Sequence, residues 1–193
     1  YEGSLRRISC EEARRIGGKL PPFVVKVGVF VNESIGSLLA AKEFCGLDRV
    51  QLHGDRIDKA ETVIPAITIM AYRIRDPKDI EEARQSPGFP LLDSRVENAY
   101  GGSGLRFNWK LLEGFDRPYI LAGGIDGENI AEALSLRPYA IDIASGAEMR
   151  PGVKDPAKMR EIFRKVQGYG AAGERESSGF SEKDSEIKSV SDL

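Results

Sequence analysis

The sequence predicts an α/β protein built on a parallel sheet, and three observations support this. Short β-branched, apolar segments alternate with segments of helical periodicity along 193 residues, which is enough chain for one sizeable core. The apolar segments recur every roughly 25 to 30 residues, as in successive βαβ units. Polar residues follow the ends of several predicted strands, where α/β proteins place their sites.

Six segments have the length and the composition of buried strands. "VVKVGVFV" is the clearest, because it is β-branched, apolar and too short for a helix. The predicted strands are residues 24–31, 49–53, 66–74, 89–93, 119–125 and 140–145.

The segments between the strands carry helix signals. Ser9 precedes Glu12 by three residues, a capping-box pattern for a helix through Ile16 that ends at two glycines. Asn32 is predicted to cap a helix with an apolar face that includes Leu38. Further helices are predicted at 78–84, 109–112, 128–134 and 157–166, whereas 55–65 has poor apolar spacing and is the weakest helix.

Two architectures fit six alternating units, a doubly wound sheet and a (β/α)₈ TIM barrel. A doubly wound sheet gathers its site at one switch point, whereas a barrel distributes it over the carboxyl ends of many strands. The polar signals are spread over four predicted strands, which favours the barrel. These signals are Gln51 and His53, Asp93, Gly123 and Gly124, and Asp142 and Ser145.

Composition excludes several classes of function. The net charge of −2 lacks the basic excess of a nucleic-acid surface, and no apolar run approaches the roughly 20 residues of a membrane span. One histidine and two cysteines at these spacings form no zinc motif, and they favour a reducing, cytoplasmic location. Residues 1–166 are predicted to form the folded domain. Residues 167–193 are rich in glycine, serine and charge, and are predicted to be a disordered tail or a linker.

Asp93 is the candidate catalytic residue. It ends an apolar strand, where partial desolvation would raise its pKa and suit it to general acid catalysis. An aspartate at a βα turn can equally cap a helix or form an ion pair, so its position alone leaves both roles open.

Three glycine-containing loops are candidate phosphate-binding sites, because glycine lets backbone N–H groups approach an anion closely. The alternative for each is tight-turn geometry. The candidates are Gly101, Gly102, Ser103 and Gly104 in the first loop, Gly123 and Gly124 in the second, and Ser145 and Gly146 in the third.

Four other residues are candidates of lower specificity. Arg6 can pair with a carboxylate or be surface charge, and His53 can be functional or structural. Asp142 lies between two isoleucines, and if they point outward it points into the barrel mouth, where an unpaired carboxylate is costly. Cys10 and Cys45 lie at helix ends, where no reactive role is predicted.

The motifs together resemble phosphoribosylanthranilate isomerase. They are "RRIS", "VGVFVN", "VQLHG", "LLDS…YGGSG..FNW", "LAGGI..ENI" and "AIDIASGAE..PGVKD", in the order and at the spacings of that family, over about residues 1–166. The resemblance implies a (β/α)₈ barrel that acts in tryptophan biosynthesis. It would convert N-(5′-phosphoribosyl)anthranilate to 1-(2-carboxyphenylamino)-1-deoxyribulose 5-phosphate by an Amadori rearrangement without a cofactor.

The resemblance also implies roles for the matching residues. Asp93 would protonate the ribose ring oxygen and open the ring to a Schiff base, and Arg6 would hold the anthranilate carboxylate. The three glycine loops would bind the phosphate, and Gln51, His53 and Asp142 would contact substrate at the barrel mouth.

One departure from the family concerns the general base. The family begins with a strand carrying "K-x-C-G", whose cysteine takes the C2′ proton, and these 193 residues contain no such motif. We therefore expect an incomplete barrel that retains six strands and lacks the first two strands and the first helix. We also expect the chain to be inactive without that cysteine.

Three alternatives remain open at this stage. The chain can be a non-catalytic phosphosugar-binding remnant of the same barrel, or one half of a fusion with a neighbouring tryptophan-pathway enzyme. It can also be a related barrel such as indole-3-glycerol-phosphate synthase. That chemistry, however, needs a catalytic lysine at a strand end, where this sequence has Gln51, His53, Asp93 and Asp142.

Overall fold

The computed structural model describes residues 1–54, 65–94 and 107–177, with side chains described through residue 169. Most of the weak helix at 55–65 and the glycine loop at 101–104 lie outside the described residues.

Six parallel strands form one sheet, in which spatial order follows chain order. A doubly wound sheet reverses strand order at its switch point, and no reversal occurs among the described strands. The strands are β1 (Val27–Val31), β2 (Arg49–His53), β3 (Thr68–Ile74), β4 (Phe89–Ser94), β5 (Ile120–Leu121) and β6 (Ala140–Ile141).

Helices connect β1 with β2, β3 with β4 and β5 with β6, and a short antiparallel hairpin follows β6. The helices are α1 (Cys10–Gly17), α2 (Ile35–Cys45), α3 (Pro77–Arg84), α4 (Ile130–Ser135) and α5 (Pro156–Ser177). The hairpin consists of β7 (Glu148–Arg150) and β8 (Val153–Lys154). Single 3₁₀ turns lie at Pro65–Ile67, Trp109–Leu112 and Ser145–Ala147.

Local capping chemistry determines where several helices begin. The Ser9 side chain accepts a hydrogen bond from the Glu12 amide, as the sequence predicts, and Asp76 forms a reciprocal capping box at the start of α3. The prediction for α2 was wrong, because Ser34 is its cap. Asn32 has a φ of 52° and donates its N–H to the His53 carbonyl, so it extends the pairing of β1 with β2.

The last two strands are shorter than predicted, whereas the last helix is longer. Gly123 and Gly124 both have positive φ, which ends β5 early. Helix α5 continues eleven residues beyond the predicted domain end at 166. Alanine, glutamate and arginine in 171–175 have high helix propensity, and the disordered tail or linker at 167–193 stays a prediction.

The two faces of the sheet have different roles. The outer face carries the larger core, in which Leu92 and Leu121 are fully buried beneath residues of α3, α4 and α5 such as Ile80, Ile130 and Ile162. The inner face carries a small apolar cluster of Ala71, Leu91 and Ala122. This cluster forms the floor beneath the polar strand ends.

No helix in the described part of the chain is long and apolar enough to cross a membrane.

We predict that Leu92→Ala lowers the free energy of unfolding by about 2–5 kcal/mol, because it removes a fully buried side chain from the larger core. Urea unfolding measures the change. Leu5→Ala is the matched control, since Leu5 is 83% exposed, and it should change stability by less than about 0.5 kcal/mol. Equal effects of the two substitutions would contradict this assignment of the core.

Candidate active site

The polar strand-end residues share the inner face of the sheet. Side chains alternate between the faces of a strand, so Gln51 and His53 lie on one face of β2. Strand register then places Arg73 of β3 beside Asp93 of β4 on that same face, because the two residues are Cα partners. Asp142 follows β6 directly and donates its backbone N–H to the Leu121 carbonyl, which continues the ladder by one residue.

A hydrogen-bonded chain links three of the predicted site residues. Gln51 Nε2 donates to Asp142 Oδ2 at 3.2 Å, and Gln51 Oε1 lies 2.6 Å from His53 Nε2. Because the amide nitrogen already faces the carboxylate, its oxygen must accept from histidine. His53 is therefore protonated on Nε2, and its Nδ1 has a lone pair.

The hydrogen bond between Gln51 and Asp142 also shows that the sheet is curved. Three strands separate β2 from β6. At a strand spacing of 4.7–4.9 Å, two such strands would be about 19 Å apart in a flat sheet. A 3.2 Å side-chain contact therefore requires the sheet to curl, so that its inner face encloses the polar residues.

Asp93 has the altered acidity that its position predicts. Asp93 is only 8% exposed. Burial, together with the nearby Asp142 carboxylate, raises the pKa of Asp93 to about 6. The Ser94 backbone N–H and the Arg73 charge oppose part of this rise. Asp93 therefore keeps its proton up to about pH 6, well above the range of an ordinary aspartate, which suits a general acid.

The neighbouring groups are shifted in directions that follow from the same burial. Burial raises the pKa of Asp142, while the hydrogen bond from Gln51 and the charge of Lys154 oppose this rise. Burial and the positive charge of Arg73 lower the pKa of His53 to about 4. His53 is therefore neutral at pH 7, in agreement with its hydrogen bond to Gln51.

Arg73 is a site residue that sequence reasoning missed. It is half-buried and is the cation whose charge acts on both Asp93 and His53. The signal was present in the sequence, since an arginine interrupts an otherwise apolar strand two residues after inward-facing Ala71. The strand was predicted, whereas the place of Arg73 beside Asp93 follows from the register of β3 with β4.

Two of the three candidate phosphate loops lie in contact. A Cβ added to Gly146 would collide with the Ile125 carbonyl oxygen and would lie 2.8 Å from the Cα of Asp126, so the third loop packs directly on the second. The N–H groups of Gly123, Gly124, Ser145 and Gly146 donate no hydrogen bond to any other described residue. Adjacent unpaired amides of this kind can bind an oxyanion.

Arg6 is held by a carboxylate from the opposite end of the chain. Its Nε and Nη2 donate to both carboxylate oxygens of Glu148 in β7, with the shortest distance 2.6 Å. These interactions hold the pKa of Glu148 at about 2, well below its usual range. Glu148 was also missed by sequence reasoning, because a partner 142 residues away leaves no local pattern.

The cysteines lie apart from the strand ends. Cys10 opens α1 and is exposed, whereas Cys45 closes α2, is buried and donates its thiol to the Cys10 carbonyl at 3.5 Å. In residues 1–54, 65–94 and 107–177, no group of three or more histidine, cysteine, aspartate or glutamate side chains could hold a metal ion.

The sequence of this chain matches a known protein family. The family model described as N-(5′-phosphoribosyl)anthranilate (PRA) isomerase matches residues 2–165. The chain belongs to the PRA isomerase family.

Relatives and solved structures of PRA isomerases extend this match. The chain is 42% identical to N-(5′-phosphoribosyl)anthranilate isomerase of Thermotoga neapolitana over 175 residues, which cover 87% of this chain and 85% of that protein. The crystal structure of the Thermotoga maritima enzyme superposes with a TM-score of 0.79 at 38% identity, covering 87% of this chain and 85% of that one.

A further solved PRA isomerase is described as a complex with reduced 1-(o-carboxyphenylamino)-1-deoxyribulose 5-phosphate. It matches this chain with a TM-score of 0.75 at 35% identity, covering 87% and 84% of the two chains. These PRA isomerase matches give no evidence that an N-terminal segment is missing. The expected lack of the first two strands and the first helix stays a prediction.

We predict that Gly123→Ala destabilises the protein more than Gly114→Ala. Both glycines have positive φ, at 85° and 76°, so the backbone strain of about 1–2 kcal/mol is matched. A Cβ at Gly123 would also lie 2.5 Å from Ser94 N and 2.6 Å from Asp93 Oδ1, whereas a Cβ at Gly114 meets nothing within 4 Å. Urea unfolding of both variants tests this, and equal losses would contradict the close packing of Gly123 on Asp93.

We also predict that His53 and Asp93 give opposite pH dependences of stability. Acidification from pH 6.5 to about 4 protonates His53 only in the unfolded chain, because folding lowers its pKa to about 4, and this decreases the free energy of unfolding. Acidification from about pH 6 to 3.8 protonates Asp93 only in the folded chain, because folding raises its pKa to about 6, and this increases the free energy of unfolding.

Single substitutions should separate the two contributions. Urea unfolding over this pH range should show that Asp93→Asn loses stability more steeply than the unsubstituted protein on acidification. His53→Asn should lose it less steeply. The comparison uses the slope of the unfolding free energy against pH and not its absolute value. A loss of packing that is independent of pH therefore does not affect it. Parallel slopes in all three proteins would contradict the two pKa shifts.

Proposed function

We propose that this protein is an N-(5′-phosphoribosyl)anthranilate isomerase of tryptophan biosynthesis, which forms 1-(2-carboxyphenylamino)-1-deoxyribulose 5-phosphate by Amadori rearrangement. The observation that carries the proposal is a buried aspartic acid, Asp93, with a pKa of about 6 on the inner face of a curled parallel sheet. Membership of the PRA isomerase family supports the same reaction.

The proposed architecture is a (β/α)₈ barrel of which six strands are described. Its support is the spatial order of the strands, which follows chain order, and the contact of Gln51 with Asp142 across the curled sheet. A barrel gathers residues from several strand ends at one mouth, as the positions of His53, Asp93 and Asp142 require.

Asp93 is proposed to begin the reaction as the general acid. Its carboxyl proton moves to the ribose ring oxygen while the bond from that oxygen to C1′ breaks. The lone pair of the anthranilate nitrogen forms the C1′=N bond of a Schiff base. A pKa near 6 keeps a useful fraction of Asp93 protonated at neutral pH and makes the proton easy to give.

The second step removes the C2′ proton, so that its bonding electrons form an enolamine that tautomerises to the ketone. The family resemblance assigns this step to the cysteine of a K-x-C-G motif, which is not among these 193 residues. Neither Cys10 nor Cys45 lies among the strand-end residues described above. The expected inactivity of the chain rests on this point alone and stays a prediction.

The two ends of the substrate are proposed to bind at separate places on the protein. Arg6 binds the anthranilate carboxylate, and the loops at 123–124 and 145–146, with 101–104, bind the phosphate. The amides of the two described loops donate to no other described residue, and this together with the mutual contact of the loops supports the phosphate site. Gln51, His53 and Asp142 would contact the ribose between these ends, and no cofactor takes part.

In the chain extended by a strand–helix–strand segment that carries K-x-C-G, we predict that Asp93→Asn lowers turnover by at least about 100-fold, since general acid catalysis contributes factors of that order. In the unsubstituted protein, kcat/KM should fall as pH rises through about 6, because Asp93 loses its proton. The measurement is the decrease in anthranilate fluorescence as the substrate is consumed. Asp116→Asn is the control, as Asp116 is an exposed carboxylate that pairs with Arg84 at the carboxyl end of α3, and it should leave turnover unchanged.

The same assay separates the isomerase from a phosphosugar-binding remnant. The 193-residue chain is compared with the chain extended by a strand–helix–strand segment that carries K-x-C-G. Turnover only in the extended protein supports the isomerase with the expected base. Turnover by the 193 residues alone shows that another residue takes the C2′ proton, and Asp142→Asn then tests the remaining buried carboxylate. Binding without turnover in both proteins favours the remnant.

A further inference from the structure

The contact of Arg6 with Glu148 leaves part of the arginine available to a ligand. Glu148 receives hydrogen bonds from Nε and Nη2, which form one edge of the planar guanidinium. Nη1 donates no hydrogen bond to any described residue, and the arginine side chain is 30% exposed. The edge formed by Nη1 and Nη2 is therefore open to a second carboxylate.

Glu148 is itself fixed in position. Its side chain is only 4% exposed, and its Oε1 also accepts from Lys154 Nζ at 3.3 Å and from the Gly152 amide at 3.4 Å. Its backbone carbonyl accepts from Lys158 Nζ of α5 at 2.9 Å. A carboxylate held by the hairpin and the final helix gives the guanidinium one orientation.

The charge of this group suits an anion. Arg6 and Lys154 are positive and Glu148 is negative, so the ion-paired cluster keeps a net charge of +1. Glu148 therefore orients Arg6 without cancelling the attraction for a second carboxylate. Lys154 Nζ also donates to the Ala144 carbonyl at 2.8 Å, so the cluster adjoins the loop at 145–146.

We propose that Glu148 is a positioning residue for substrate recognition, which turns the Nη1–Nη2 edge of Arg6 toward the carboxylate on the aromatic ring. This inference rests on the proposed function, because it takes Arg6 as the residue that binds that carboxylate. Glu148 touches no reacting atom and acts only through Arg6. Its loss should thus weaken binding of ligands that carry the ring carboxylate and should spare those that lack it.

The experiment compares two ligands with the 193-residue chain by calorimetry. The first is reduced 1-(o-carboxyphenylamino)-1-deoxyribulose 5-phosphate, and the second is the same compound with an unsubstituted phenyl ring. Glu148→Gln should raise the dissociation constant of the first ligand roughly tenfold, the scale of one charged hydrogen bond, and leave that of the second unchanged. Glu148→Asp, which restores the charge, should recover part of the loss.

Asp79→Asn is the matched control for loss of an ion pair. Asp79 is also a buried carboxylate bound by two nitrogens of one arginine, at 2.7 and 2.9 Å from Arg75, and it lies beyond β3 and not beside β6. Both substitutions should lower the melting temperature, but only Glu148→Gln should discriminate between the ligands.

The outcomes separate this inference from the proposed function. Equal weakening of both ligands by Glu148→Gln, or of neither, overturns the positioning role and leaves the isomerase proposal standing. If the unsubstituted chain binds both ligands equally, Arg6 does not grip the carboxylate, and the inference also fails. If that chain binds neither ligand, the proposed function and the inference fail together.

Discussion

The hydrogen bond between Gln51 and Asp142 is the constraint on which the site depends. It joins strands that a flat sheet would hold about 19 Å apart, so it forms only when the whole sheet is curled. The curl places Asp142 close enough to raise the pKa of Asp93, and it withdraws both carboxylates from water. Small residues on the inner face, Ala71 and Ala122 among them, leave room for this closure beneath the polar layer.

Burial shifts the pKa values of Asp93 and His53 in opposite directions. The same withdrawal from solvent disfavours the charged form of every group, so it raises the pKa of Asp93 and lowers the pKa of His53. Arg73 opposes the first effect and reinforces the second, because its positive charge favours an anionic Asp93 and a neutral His53. One arginine thus prevents Asp93 from becoming too weak an acid while it keeps the histidine in its uncharged, hydrogen-bonding form.

Sequence reasoning succeeded where the physical cause is local. Strand β2 was predicted to the residue, and the caps at Ser9 and Asp76 follow from side-chain chemistry within three residues. It failed at Asn32, which has a φ of 52° and extends the pairing of β1 with β2, while α2 begins behind the cap Ser34. The clustering of Asp93, Gln51, His53 and Asp142 could be predicted because strand ends are visible in the sequence. Glu148 was not found, because its role depends on an arginine near the other terminus.

These long-range contacts also set the order in which the site can form. The bond of Gln51 to Asp142 spans 91 residues and that of Arg6 to Glu148 spans 142, so each closes a long loop at an entropic cost. We therefore expect the parallel strand pairs and the outer core to form first and to bring the partners together. The acid, its neighbouring carboxylate and the oriented arginine then appear together in the closed sheet. A partly folded chain would have the same residues but neither the raised pKa of Asp93 nor the single orientation of Arg6.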